Sequence, residues 1–200
     1  VDKSYIPKYN SEPESTRKQL QLPKQYLLFV GNRANYKQFP YAAQLAKAVD
    51  LPLVIVGAPL TKQERKFLAN LQVNYQERNF VANQELQSYY SLATALVYPS
   101  LYEGFGIPVI EAQRCGCPVI AYNASSIPEV IGEDYPLLLS QLEIAPAAHS
   151  IQKLVTDSDF RNQIQQKGIE NSLRFSWEKM QDEYLSLYTQ LWTMRCSIEN

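Results

Sequence analysis

Two glutamates eight positions apart carry the densest chemical signal in this chain. They stand in the stretch Pro99-Ser100-Leu101-Tyr102-Glu103-Gly104-Phe105-Gly106-Ile107-Pro108-Val109-Ile110-Glu111-Ala112. Gly104 and Gly106 flank the expected start of a helix, and Pro108 suits its first turn. Glycines there let a backbone approach a ligand closely, and the unpaired N–H groups of the helix offer a seat for a phosphate. Glu103 falls in the mouth of the loop. Glu111 falls one turn into the helix and can face the same cleft. Carboxylates placed this way can accept hydrogen bonds from sugar hydroxyls. A strand-to-helix turn with solvated glutamates is the competing interpretation. It would win for a lone G-x-G, but the full string is longer and more specific. A second loop, Gly31-Asn32-Arg33-Ala34-Asn35-Tyr36-Lys37-Gln38-Phe39, offers the cations. Arg33 and Lys37, beyond a strand end and just before a helix, suit a diphosphate.

Positioning these loops requires an alternation of strands and helices, and the sequence supplies it. Strands are expected at Tyr26–Val30, Leu53–Val56, a run ending at Phe80-Val81, Ala95–Tyr98, Pro118–Tyr122 and Pro136–Leu139. Between them lie helical spacings: Pro40–Val49, a helix capped by Thr61 with Glu64 as its capping-box partner, one capped by Asn83, and Ile107–Cys115 closed by Gly116. Apolar strands alternating with helices predict an α/β, doubly wound, Rossmann-like parallel sheet. Such folds bind ligands at the carboxyl ends of their strands, which puts both loops on one edge of the sheet. Residues 1–25, with Pro7, Pro13 and Pro23, read as a linker or extended arm. After residue 142 only helices are expected: about Leu142–Val155, Asp157–Arg174 and Ser176–Trp192. The last carries Trp177, Met180, Tyr184, Leu187, Tyr188, Leu191 and Trp192, a wide apolar stripe that must pack on something. Residues 193–200 read as a tail.

Composition narrows the classes. Apolar residues make up 46% of the 200 and charged residues 20%, ordinary for a globular domain. A net charge of −1 gives no long-range pull on nucleic acid or anionic lipid. No run of about 18 apolar residues exists to span a membrane. Cys115, Cys117 and Cys196 are read as free thiols in a reducing compartment, and His149 is the only histidine, leaving almost nothing for a zinc site or a Ser-His-Asp triad. Asp157-Ser158-Asp159 spells a metal signature of another fold, but opens a helix and is read as a cap. Asn123-Ala124-Ser125 fits the glycosylation sequon without further support.

The order of motifs resembles the C-terminal donor domain of family-4 retaining glycosyltransferases of the GT-B fold. The resemblance runs from about Tyr26 to Tyr188. It rests on strand-Gly-x5-Lys, N-Q-E-L-Q-S-Y-Y, Y-P-S-L-Y-E-G-F-G-I-P-V-I-E-A and C-G-C-P-V-I-A-Y-N-A-S-S-I-P-E-V. Val1-Asp2 looks like the end of the family's interdomain linker, so an N-terminal acceptor-binding domain is expected to precede this chain. The resemblance implies the following roles. Lys37 binds the donor diphosphate. Arg33, one place beyond the family's usual arginine (here Asn32, after Gly31), substitutes for it. Glu103 faces the transferred sugar, and Glu111 holds the ribose hydroxyls. Gly104, Phe105, Gly106 and Ile107 lie along sugar and phosphates, and Phe80 and Val81 rest against the base. Ser125-Ser126 stands where many relatives have two glycines and is left unassigned. The last helix of such enzymes crosses back to the N-terminal domain. The implied reaction is transfer of a hexose from a GDP- or UDP-linked donor to a glycan or lipid-linked acceptor, with retention of configuration. It needs no metal or other cofactor, and takes place in the cytoplasm with at most peripheral membrane association. A sugar-nucleotide epimerase of the GT-B fold and a non-catalytic nucleotide-binding module are the alternatives.

Overall fold

A computed structural model describes Tyr5 and residues 13–198, with side chains as far as Met194. Val1-Asp2, Pro7 and the side chain of Cys196, singled out above, lie outside the described residues. Six parallel strands form one sheet: β1 (Leu27–Val30), β2 (Leu53–Val56), β3 (Tyr75–Arg78), β4 (Ala95–Tyr98), β5 (Val119–Tyr122) and β6 (Leu138–Leu139). Their spatial order is β3-β2-β1-β4-β5-β6. The order reverses between β1 and β4, which pair in parallel with Leu27 opposite Ala95 and Leu28 opposite Leu96. That reversal is the switch point where an open α/β sheet leaves a crevice.

Burial explains why the strands read as apolar runs. Every residue of β1, β2 and β4 is buried, because helices cover both faces. β3 lies at one edge of the sheet and reads Tyr-Gln-Glu-Arg, half-buried throughout. It ends at Arg78, two residues before the expected Phe80-Val81. Its polar side chains are held on both faces. Gln76 and Arg78 donate to the carbonyls of Gln21 and Leu20 at 3.1 Å each, and Glu77 accepts from the Leu60 N–H at 2.8 Å and from Arg65.

Helices α2 (Phe39–Ala48), α3 (Lys62–Leu71), α4 (Asn83–Leu92) and α5 (Ile107–Arg114) connect the strands. Thr61 and Glu64 form the expected capping box at α3, a device worth roughly 0.5–2 kcal/mol. At α4 the N-cap is Ala82 and no side chain caps it; Asn83 is already inside the helix. Two further helices depart from the sequence expectations. α1 (Pro13–Gln19) lies inside the segment read as an extended arm, and Arg17 ties it down by donating to the carbonyls of Pro23 and Leu92. α6 (Ile127–Ile131) is a short turn whose Ile127, Val130 and Ile131 are buried.

The C-terminal part is helical as expected: α7 (Ile144–Thr156), α8 (Ser158–Ser172) and α9 (Trp177–Ile198). Asp157 accepts the Phe160 N–H at 2.9 Å and caps α8, as read from the sequence. A polar network locks α8 to the α5–α6 pair. Asn171 donates to Gln113 at 2.7 Å and to the Val130 carbonyl at 2.8 Å, while the fully buried Gln113 donates to the Ile131 carbonyl. Satisfying each of these groups is what allows an amide to sit in the core. Cys115 and Cys117 are buried around Gly116 and share no disulfide. α9 differs from all the others, since every described side chain along it is exposed, Trp192 to 68%. Its apolar stripe is uncovered among the described residues, and the helix continues through the expected tail to Ile198. No helix among the described residues is long and apolar enough to cross a membrane.

Candidate functional site

The carboxyl ends of β1 and β4 meet at the switch point, and the two loops of interest leave from there. A backbone bond joins them, with the Leu101 N–H donating to the Tyr36 carbonyl at 2.8 Å. The chain turns after Val30 through Gly31 (φ 119°) into a single 3-10 turn, Asn35–Lys37, and then α2. That turn carries Lys37 inward. Its ammonium donates to Glu103 and, at 3.1 Å, to the Tyr98 hydroxyl, with the Tyr98 ring centroid 5.0 Å away. Glu103 also lies close enough for its charge to act on the Tyr98 phenol, so cation, phenol and carboxylate form one cluster. Lys37 and Glu103 are each only 11% exposed at the side chain. Burial, and then the neighbouring Glu103 charge, hold the Tyr98 phenol far above its ordinary range, so it stays protonated. The sequence marks Tyr98 only as the end of a strand. A tyrosine among buried strand residues is ordinarily core, and its role shows only once β1 and β4 are adjacent.

The loop after β4 is fixed from several sides. Gly106 caps α5 with φ 107°, and a Cβ there would lie 2.9 Å from Ile127 Cδ1. The conformation therefore favours glycine, and a side chain there would also have to push the tip of Ile127 aside. Gly104 and Gly31 face open space, where an added Cβ would meet nothing within 4 Å. Close approach of backbones is instead required at Gly57, where a Cβ would stand 2.4 Å from the Gly31 carbonyl oxygen. That contact seats the loop after β2 against the loop after β1. Phe105 stacks edge-on against Phe175, with centroids 5.7 Å apart. With Ile107, Trp177 and Met180 it lines an apolar pocket of about 440 Å³. Ser125 donates to the Glu103 carbonyl at 2.7 Å, and the Ser126 hydroxyl lies 3.0 Å from that carbonyl and 2.9 Å from the Phe105 carbonyl.

The remaining candidates lie elsewhere. Glu111 is half-buried on α5 and accepts from the Tyr90 hydroxyl at 3.0 Å. Burial raises its carboxyl above the usual range, while hydrogen bonds from Tyr90 and Tyr5 oppose the rise. Tyr90, wholly buried on α4, is a second partner that the sequence did not reveal. Arg33 departs from the expected pairing with Lys37. Its Nε donates to Glu64 at 2.6 Å and its Nη2 to the Pro59 carbonyl at 2.8 Å, with the guanidinium 5.9 Å from the Phe39 ring. Burial works against the Glu64 charge, yet the bonds from Arg33 and Thr61 keep its carboxyl below the ordinary range. Arg33 thus braces the loop against α3, because the capping box leaves one Glu64 oxygen free to receive it. Phe80 follows the edge strand with φ 56° and is 90% exposed, while Val81 packs partly against the core. The structure therefore brings Lys37, Glu103 and Tyr98 together, sets Glu111 on Tyr90, and places Arg33 on Glu64. No group of three or more His, Cys, Asp or Glu side chains that could hold a metal occurs among the described residues.

Comparison with known proteins bears on this geometry. Residues 11–171 match the family described as "Glycosyl transferases group 1". Over 113 residues the chain is 38% identical to O-antigen chain mannosyltransferase B of Escherichia coli, a match covering 56% of this chain and 29% of that protein. Over 114 residues it is 31% identical to the D-inositol 3-phosphate glycosyltransferase of Corynebacterium efficiens, covering 56% and 27%. The chain thus spans under a third of these relatives. Among solved structures, the Anabaena protein HepE in complex with UDP and glucose superimposes with a TM-score of 0.80 at 17% identity, over 95% of this chain and 55% of that one. The C-terminal domain of the group 1 protein LpcC from Francisella tularensis gives 0.72 at 25% identity, over 87% of this chain and 97% of that domain. A doubly wound sheet with its crevice at the β1–β4 switch point, matched over most of its length by one family description, gives the conclusion that this chain belongs to the group 1 glycosyltransferases.

Proposed function

We propose that this chain is the donor-binding half of a retaining glycosyltransferase of the GT-B fold. In this reading it holds a nucleoside-diphosphate hexose while an N-terminal domain, outside this chain, supplies the acceptor. The observation that carries the proposal is the joining of Lys37 and Glu103 at the β1–β4 crevice. A cation and a carboxylate held together there match the two charges a sugar donor presents: a diphosphate that leaves as an anion, and a hexose rich in hydroxyl donors. Lys37 would exchange part of its bond to Glu103 for the diphosphate and offset the charge that grows as the glycosidic bond breaks. Glu103, released from Lys37, would accept from hydroxyls of the transferred sugar. Glu111 would hold the ribose hydroxyls, and the exposed Phe80 ring, with Val81 beneath, would flank the base. Lys37 supplies the cation that a metal would otherwise supply, so the reaction proposed needs none. Two of the similar proteins support this chemistry by analogy, since HepE was solved with UDP and glucose and the E. coli relative is named a mannosyltransferase. A GDP- or UDP-linked hexose is the proposed donor, a bacterial surface glycan or its lipid-linked precursor the proposed acceptor, and the cytoplasm the proposed compartment. α9 would lie against the N-terminal domain, which would cover its stripe and exclude water from the closed site.

Calorimetry with UDP, GDP, uridine and guanosine tests the site. The diphosphate that binds should lose affinity in Lys37→Ala while its nucleoside does not, and a loss shared equally by both would overturn the assignment. Product analysis by NMR on the full-length protein tests retention, which requires the anomeric configuration of the donor to survive in the product.

A further inference from the structure

Ser125 and Ser126 have no part in the proposal above, yet neither hydroxyl serves its own element. Ser126 occupies the N-cap of α6, where a serine oxygen ordinarily accepts a helix N–H, and it makes no such bond. Its hydroxyl instead addresses the carbonyls of Glu103 and Phe105, at 3.0 and 2.9 Å. Ser125 holds a left-handed backbone, φ 56°, a conformation that strains any side chain. From there its hydroxyl reaches the Glu103 carbonyl at 2.7 Å. The loop after β5 therefore grips the carbonyls of two alternate residues, Glu103 and Phe105, in the loop after β4.

Peptide planarity carries that grip to the opposite side of the loop. In a trans peptide the carbonyl and the following N–H point in opposite directions. Holding the Glu103 carbonyl toward the serines aims the Gly104 N–H away from them, and holding the Phe105 carbonyl does the same for the Gly106 N–H. Among the described residues neither N–H meets an acceptor. Gly104 stands in open space, and Gly106 opens α5, where the helix's own partial positive charge lies. We propose that Ser125 and Ser126 are positioning residues: they fix two peptide planes so that the Gly104 and Gly106 N–H groups face the phosphates of a nucleoside diphosphate. The inference rests on the donor-site reading above and assigns the serines no contact with the ligand.

The test is titration calorimetry with UDP, GDP, uridine and guanosine on the full-length protein that carries this chain. Ser126→Ala should lower affinity for the diphosphate by about tenfold and leave the matching nucleoside unchanged. Ser126→Thr, which keeps the hydroxyl, should restore it. Ser125→Gly should weaken the diphosphate to a smaller degree without lowering the melting temperature, because glycine relieves the strained backbone while the Ser126 bonds persist. Unaltered diphosphate binding in both Ser126→Ala and Ser125→Gly overturns the inference. So does an equal loss of nucleoside and diphosphate, or a failure of threonine to rescue. Lys37→Ala separates this from the reading beneath it. If that variant loses diphosphate affinity and the serine variants do not, the inference alone fails. If Lys37→Ala is also unaffected, or wild type binds neither diphosphate, the donor site itself is wrong.

Discussion

At the scale of single residues, contacts between loops hold the site together. Gly106 is the clearest case. Gly106→Ala would force a Cβ into Ile127 at a φ that side chains avoid, so it should destabilise by about 1–3 kcal/mol. Thermal melting checks this, and a variant as stable as wild type would mean that the α5 entry adapts. Glu111 offers a pH test. Burial raises its folded carboxyl pKa above the unfolded value, so the folded state binds the proton more tightly. The stabilising effect of protonation is then fully present below the unfolded pKa and is lost as pH rises through the folded one. Glu111→Gln, which never ionises, should therefore raise the melting temperature at pH 7 relative to wild type, and the gap should shrink as pH falls toward 4. The same variant should bind nucleoside less tightly, since an amide is a weaker acceptor for ribose hydroxyls. The sequence made Lys37, Glu103 and Glu111 legible because a basic loop and E-x7-E are local patterns. It left Tyr98, Tyr90 and the serine pair hidden, because their partners lie 61, 21 and 22 or 23 positions away. The resting partner of Arg33 was hidden by the same limit, for nothing near it in the chain announces Glu64 thirty-one residues on.

At the scale of elements, periodicity gave the strands buried on both faces and the amphipathic helices, and failed where the environment is mixed. β3 is a half-buried edge, so its Tyr-Gln-Glu-Arg run lacks the apolar signature, and the neighbouring Phe80-Val81 drew the expectation past its end. α1 and α6 are short, and their buried faces exist only against other elements. α9 presents the reverse case: a strong apolar stripe that is visible in sequence and unpartnered in the structure. Because no described side chain of α9 is buried, and only its first turns, at Trp177 and Met180, line the pocket beside Phe105, ending the chain after Ser176 should leave the remaining fold intact, with a melting temperature lowered by no more than a few degrees. Sedimentation should show the 200-residue chain self-associating in a concentration-dependent way through this stripe, and the shortened chain monomeric. A strictly monomeric full-length chain would count against that expectation.

At the scale of the whole molecule, a cation and a carboxylate poised at one open crevice imply binding without turnover. The isolated chain should bind the nucleoside diphosphate yet transfer no sugar, because in the proposed reading the acceptor side and the exclusion of water would come from a second domain. Incubation with donor and candidate acceptors, followed by mass spectrometry, checks this, and glycosylated product from the 200-residue chain would refute it. The edge strand bears on a different property. β3 displays charged and amide side chains on both of its faces, each fastened to the turn at Leu20-Gln21 or to the segment around Leu60-Arg65. An incoming strand from another copy would have to displace those anchors and strand their charges without partners. The molecule can therefore expose one sticky helix and still resist sheet-to-sheet polymerisation, so that its aggregates, when concentrated, should dissolve on dilution rather than ripen into fibrils.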